Sequence, residues 1–455
     1  MTHRNGIGFI PSIAVGIWLF SLGSAAQAQE ETRTTEGGAG AAADRDQLSF
    51  SVGAGSFYSD NVGRTPTDEE SDGAANVGLR FAYRRDKRRF DALIDSDLEY
   101  REYFKSTYGS DLVGGLTGTL NYWLLPDRLA WAVEENFGQT YTRLTDVETP
   151  DNRQNVNYFS TGPNVFLPIT DRTELRGQAR WAKSSYGETE TTSSHRFTGT
   201  LGLVRRLSEH SLVSLNGSGE KVEYDNLPDG SDFTQRSAFL GYEAEGARTT
   251  LTAQGGWTTF TAPNGDHGGL LANASVSRKI GARSTLALTL GTGMTDAAEA
   301  FRRDQTLGGV VKGNEAVTNS PDPFRSDYAT LVWNLSGVRN RFAATTEWRR
   351  DVGQGNTTVQ ERAEVGSHVE LSRRLTPALT GSVEGVYRRD KFADSGFHFD
   401  EWSIGPVLNW AFARSLAVTL RYDYFRGSGH AVGQGDVRDY TENRVSVAFS
   451  FGSGN

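Results

Sequence analysis

The stretch "FDALIDSDLEYREY" places four carboxylates, Asp91, Asp95, Asp97 and Glu99, on one parity of a short segment. Phe90, Ala92, Ile94, Leu98 and Tyr100 occupy the other. Just upstream, "VGLRFAYRR" sets Arg80 and Arg84 between Val77, Leu79, Phe81 and Tyr83. Like charges along one row repel unless water or nearby guanidinium groups screen them, which Arg80 and Arg84 are placed to do. Such a row makes and breaks no bonds. Its chemistry is selection by charge and hydrogen bonding: left exposed, it disfavours small anions and hinders neutral or cationic solutes, including hydrated sugar chains, much less. Later segments add charges of the same kind at Glu364, Glu370, Glu384, Arg388, Arg421, Asp423 and Arg444.

Bond-making chemistry finds no foothold. The seven histidines are dispersed, without an HExxH or other metal spacing. His398 stands in "GFHFDEW" beside Asp400 and Glu401, a grouping that reads as a solvated connector. GxSxG and phosphate-loop patterns are absent. With no cysteine, thiol catalysis, disulfide scaffolds and cysteine-based zinc sites are excluded. The expectation is a protein without cofactor or metal that is not an enzyme.

The elements that carry these charges alternate with a period of two. In "LNWAFARSLAVTLRYDYFRG", Trp410, Phe412, Leu416, Val418, Leu420, Tyr422 and Tyr424 form one stripe, and Thr419, Arg421 and Asp423 the other, around a tight turn at "AFARS". The same pattern runs through Leu112 to Tyr122, Leu129 to Tyr141 and Leu286 to Leu290. It continues through Val359, Ala363, Val365, Val369 and Leu371, and ends with Val445, Val447, Phe449 and Phe451. Apolar residues make up only 37% of the chain, with 52 glycines and 11% aromatics, too little apolar material for a large soluble core. A cylinder in a membrane needs only half of each strand to be apolar, with that half facing lipid. The charged parity then faces the lumen, because an arginine or lysine facing lipid at mid-membrane costs about 2–4 kcal/mol. Whether the lining is a selective passage or a solvated wall of cross-strand ion pairs stays open at this point.

Residues 1–28 read as a secretory signal peptide: a short basic start, the apolar run "IGFIPSIAVGIWLFSLGS", and Ala26-Gln27-Ala28 as the processing site. Residues 29–46 read as a flexible periplasmic linker, and 47–455 as the barrel. Connectors sort into short charged turns such as "RDKR", "PDR", "TDR" and "IGAR", and longer polar ones such as "SDNVGRTPTDEESDG" and "LTDVETPDNRQ". The two kinds alternate, as periplasmic turns and external loops do. Their count gives an all-β, transmembrane, up-and-down antiparallel barrel of about 20 strands, or 18 if one hairpin merges. The longest connector, 296–325, has helical propensity in "DAAEAFRRD" and is placed either to fold into the pore or to stay outside as a mobile loop. Trp123, Trp131 and Trp410 near short turns, and Tyr58, Tyr100, Tyr103, Tyr141, Tyr186, Tyr224 and Tyr424 near long ones, suggest two interfacial girdles. A net charge of −9 makes nucleic acid a poor partner.

The opening strand and loop, "FSVGAGSFYSDNVGRTP" (50–66), and the Arg-Ser/Thr-apolar turns resemble a family of outer-membrane β-barrels that accompany exopolysaccharide secretion or exosortase systems. The resemblance implies passage of polymer or solute across the outer membrane of a Gram-negative bacterium. It implies a periplasmic or inner-membrane export complex as partner and transfers no catalytic residue. The expected function is a porin-like pore for exopolysaccharide or other hydrophilic solutes. The alternative is a structural or adhesion barrel with a plugged lumen. Outer-membrane lipid and the barrel-assembly machinery are the general partners, the latter reading Val445, Val447, Phe449 and Phe451.

Overall fold

A computed structural model describes residues 46–227, 231–262, 265–307, 314–315, 320–354, 359–431, 435–436 and 438–452. The signal peptide and almost all of the linker lie outside these. Twenty long strands, from Gln47–Ser59 to Tyr440–Gly452, form one antiparallel sheet that closes on itself. The closing seam runs from Ser51 opposite Gly452 to Ser59 opposite Arg444. Two two-residue strands are added, Asn314–Glu315 and Gly435–Asp436. All nine short turns and the alternating longer connectors fall where the sequence places them, so the count of 20 holds. No helix among the described residues is long and apolar enough to cross a membrane.

Polarity is inverted relative to a soluble domain. Three neighbouring strands, Leu379–Phe392, His398–Ala413 and Leu416–Ala431, show how the register builds the outer face. Rows read Leu379, Trp410, Val418; then Gly381, Leu408, Leu420; then Gly385, Ile404, Tyr424. Toward the long loops they become Tyr387, Trp402, Arg426, and finally Lys391, His398, His430. Hydrocarbon gives way to aromatic rings and then to charge, the sequence of chemistries that a bilayer presents from its core outward. Leu408, Trp410 and Leu420 are each about half exposed on this face.

Two strands carry a Gly-Pro pair in mid-course. In Arg153–Thr170, Gly162 and Pro163 fall out of the ladder between Thr161 opposite Trp181 and Asn164 opposite Gln178. Proline has no N–H to give. Arg180 fills the gap from inside, donating to Pro163 O (2.9 Å), Ala179 O (2.8 Å) and Asn164 Oδ1 (2.5 Å). Gly405-Pro406 makes the same interruption in His398–Ala413.

Gly114 holds a third irregularity. Its φ of 115° lies in the left-handed region, and a Cβ there would sit 1.9 Å from Asp97 O. The next ladder starts only at Leu116 opposite Phe137, and Gln139 Oε1 accepts the stranded Gly114 N–H at 2.9 Å. Gly114→Ala is therefore expected to destabilise the barrel by more than about 1 kcal/mol. A lower midpoint for loss of heat-modifiable gel mobility checks this.

Several sequence assignments change. Val359 is not part of an outward stripe: its strand begins at Arg362, and Val359 is buried inside the barrel. Tyr58, Tyr100 and Tyr424 carry the outward parity, but Tyr103, Tyr141, Tyr186 and Tyr224 are buried on the inner side. Trp123 shares parity with Asn121 and donates its indole N–H to Asp91 Oδ2 at 3.0 Å, so it leaves the girdle as well. For Tyr103, Tyr186, Tyr224 and Trp123 strand parity decides direction, while the residue type alone does not. Tyr141 shares the parity of outward Trp131 and turns inward where its strand has run past the ladder to the preceding strand, a ladder that ends at Phe137.

Candidate functional site

A closed sheet of twenty strands about 4.8 Å apart and tilted by about 40° encloses a cylinder roughly 40 Å across. Wall side chains cannot fill that width, so the lumen is either water or inserted chain. Both occur, at opposite ends.

From mid-barrel toward the short turns the wall is wet. Arg80 and Asp97 face each other across the first hairpin pair with side chains 75% and 49% exposed, and Arg80 Nε lies 3.0 Å from Asp97 Oδ2. Glu99 pairs with Arg101 (2.5 Å) and Asp91 accepts from Trp123. Asp95 stands opposite Ala82 and Thr117 on the same inner face, and Arg84 opposite Leu93. The acidic row is thus screened by its neighbours rather than bare. Farther round, Arg421 bridges Glu384 (2.6 Å) and Asp423 (2.7 Å), and Glu370 lies opposite Glu384 in register.

Toward the long loops the lumen is crossed by a septum. Its centre is the helix Ala297–Leu307, from the longest connector, which folds into the barrel. Asp296 starts it, accepting the Glu299 N–H at 3.1 Å, and an acidic first turn suits the helix dipole. Ala297, Ala298, Ala300 and Phe301 are buried against Val156, Tyr158, Ala182 and Tyr186 of the wall. Three small side chains let the helix approach the sheet closely, and Phe301 anchors it. Its polar side is tied down by charge. Arg196 reaches Asp296 (2.7 Å) and Glu220 (3.3 Å), Arg302 reaches Glu134 (3.2 Å) and Glu299, and Arg349 pairs with Asp304.

From there the ion pairs continue wall to wall. Arg349 pairs with Glu364 (2.8 Å), Glu364 with Arg362 (2.7 Å), and Arg362 with Asp390 (2.6 Å). Arg388 touches Asp390 (3.2 Å) and donates to Tyr141 Oη (2.6 Å), joining two strands that are not neighbours in the sheet. Tyr141 donates to Glu148 (3.1 Å) on an inturned loop. Arg64, on the first loop, gathers Glu148 (3.7 Å), Glu401 (3.4 Å) and Glu442 (3.0 Å) and lies over the Phe425 ring. Arg444 completes the run on Glu442 (2.7 Å).

Of the residues selected from sequence, Glu364 and Arg388 belong to the septum, with Arg444 at its end. Arg80, Arg84, Asp91, Asp95, Asp97, Glu99, Glu384, Arg421 and Asp423 line the wall below it. Val445, Val447, Phe449 and Phe451 form the outward stripe of the last strand. Arg64, Glu148 and the charges of the helix were missed. Inward parity could have found Glu134, Arg349, Arg362 and Glu442, but loop residues that fold inside carry no periodic signal.

The loop charges are strongly coupled to burial. Desolvation alone would lower the Arg64 pKa, yet Tyr440, Glu401 and Glu442 outweigh it and the guanidinium is held above its ordinary value. Burial pushes Glu148 upward, but Arg64, Arg153 and Arg388 prevail and hold its carboxyl down at about 2. A depressed carboxyl pKa stabilises the folded loop above its unfolded value of 4.5, and that contribution is lost as pH falls from there toward about 2. The ionic conductance of a planar bilayer holding the protein is therefore expected to rise on acidification through this window. Glu148→Gln should shrink the acid step.

No family model matches the chain, and no curated protein matches it. Solved structures similar to it are outer-membrane β-barrel proteins. The siderophore receptor PirA from Pseudomonas aeruginosa is 12% identical, covering 90% of this chain and 81% of that one, with a TM-score of 0.41. The FrpB iron transporter from Neisseria meningitidis is 10% identical, covering 89% and 81%, with a TM-score of 0.41. OccAB3 from Acinetobacter baumannii is 9% identical, covering 89% and 99%, with a TM-score of 0.34.

Proposed function

We propose that this chain is a channel of the Gram-negative outer membrane that passes hydrophilic solutes, with its long loops outside and its short turns in the periplasm. The observation that carries the reading is the inverted polarity: an apolar, aromatic-edged outer face around a charged, partly wet lumen. Barrels of this width conduct when the lumen is open, and here passage depends on the septum moving. Exopolysaccharide is the proposed cargo. A polymer needs a periplasmic or inner-membrane export complex to drive it, because the barrel holds no energy source. The proposal includes insertion by the barrel-assembly machinery through the last strand, and no catalytic role.

Purified protein in a planar bilayer tests the reading. Steady single-channel currents, sustained or in bursts, are the expected result. Complete electrical silence would sink the channel and favour the second reading, a plugged structural or adhesion barrel. That reading has its own support in the run of ion pairs and tyrosine hydrogen bonds across the septum. Deleting the gene and measuring surface polysaccharide tests the cargo: unchanged output with reduced uptake of small sugars would remove the polymer.

A further inference from the structure

The chain is acidic as a whole, yet its short-turn end is a ring of arginines. Seven of the nine short turns contain one, as in Arg88-Arg89, Arg128 and Arg414. The two that do not are preceded by the pairs Arg205-Arg206 and Arg373-Arg374. These arginines are exposed and form no ion pairs among the described residues. The acidic stretches lie at the other end, in "TDEES" (67–71), "DVETPD" (146–151) and "ETE" (188–190). Asp127, Asp171 and Glu209 share three of the turns, so the short-turn end is basic in net charge rather than uniformly so.

We infer that the short-turn mouth is a collecting site for an acidic polysaccharide, one bearing carboxylate groups along its length. The inference rests on the channel reading and names the cargo class of the same passage. A net excess of one sign around a low-dielectric wall focuses its field into the mouth and raises the local concentration of the opposite charge. Arginine dominates over lysine here, and its planar fork matches carboxylates in pairs. Direction matters too. Arg206 and Arg374 carry the inward parity of Val204 and Glu364, and most of the others sit at turn tips, below the stretch of wall where Arg80 is already paired with Asp97. A ring meant chiefly for lipid headgroups would follow the outward parity, as only Arg205 and Arg373 do within these pairs.

The test uses the mature full-length chain in detergent, with polygalacturonate as the acidic probe and dextran as the neutral one. Binding to polygalacturonate alone is expected, weakening roughly tenfold from low to physiological salt as exposed charges are screened. Arg205→Gln/Arg206→Gln/Arg373→Gln/Arg374→Gln should weaken it by roughly tenfold more. Arg88→Gln/Arg89→Gln is the independent variant should the first not fold. Equal binding of both probes, or full affinity in the folded variants, overturns the inference. So does a loss seen only with phosphatidylglycerol vesicles, which would assign the ring to lipid. Failure of the channel reading shows separately, as electrical silence of the inserted protein in a planar bilayer.

Discussion

Arg349→Ala is expected to raise single-channel conductance several-fold and to make the helix Ala297–Leu307 accessible to trypsin at Arg302 and Arg303. Arg349 is the joint of the septum: it holds Asp304 on the helix and Glu364 on the wall, with Asp351 at 3.5 Å. Removing one partner of a buried ion pair leaves the other charge desolvated and uncompensated, at a cost of about 3–5 kcal/mol. Here Asp304 loses its tie to the wall, while Glu364 retains Arg362 at 2.7 Å. The cheapest relief is for the connector to leave the lumen, carrying Asp304 into water, while the wall keeps its ladder. Arg349→Ala/Asp304→Ala removes both ends of the main tie and should open the channel less than the single change. A single variant that stays closed and protease-resistant would show that the apolar seat of Phe301, rather than charge, holds the helix. Phe301→Ala then becomes the opening mutation.

Leu420→Arg should destabilise the barrel by about 2–4 kcal/mol in a lipid bilayer, whereas Thr419→Arg should cost far less. The two are adjacent on Leu416–Ala431 and differ only in direction. Leu420 is half exposed on the outer face opposite Leu408, and Thr419 faces the lumen, accepting from Asn409 Nδ2 at 3.0 Å. Urea unfolding of protein inserted in vesicles measures both. Equal losses would mean that the outer face does not contact hydrocarbon, and the orientation of every lumen residue would fall with it.

The barrel itself was legible because its code is local. Alternation in Leu416 to Tyr424 states which side chains face outward, and charged short turns state where strands reverse; neither depends on distant residues. The inner lining was legible for the same reason, from Arg80 through Asp423. The septum was not. Glu148 and Arg64 lie on connectors whose sequence resembles any solvated loop, and only the closed ring brings them to Glu401 and Glu442. Their meeting is a property of closure, since the strands that carry them are far apart in the chain. Tyr141 and Tyr186 were misread by type: tyrosine serves equally well at a lipid interface and as a buried donor, and a single residue's chemistry does not separate the two.

All but one of the long antiparallel pairings join consecutive strands, so each hairpin can form as its own segment emerges. The exception brings Gln47–Ser59 to Tyr440–Gly452, across almost the whole chain. The cylinder consequently has one zip and many hinges. Its assembly waits on a single late event, the meeting of the first and last long strands.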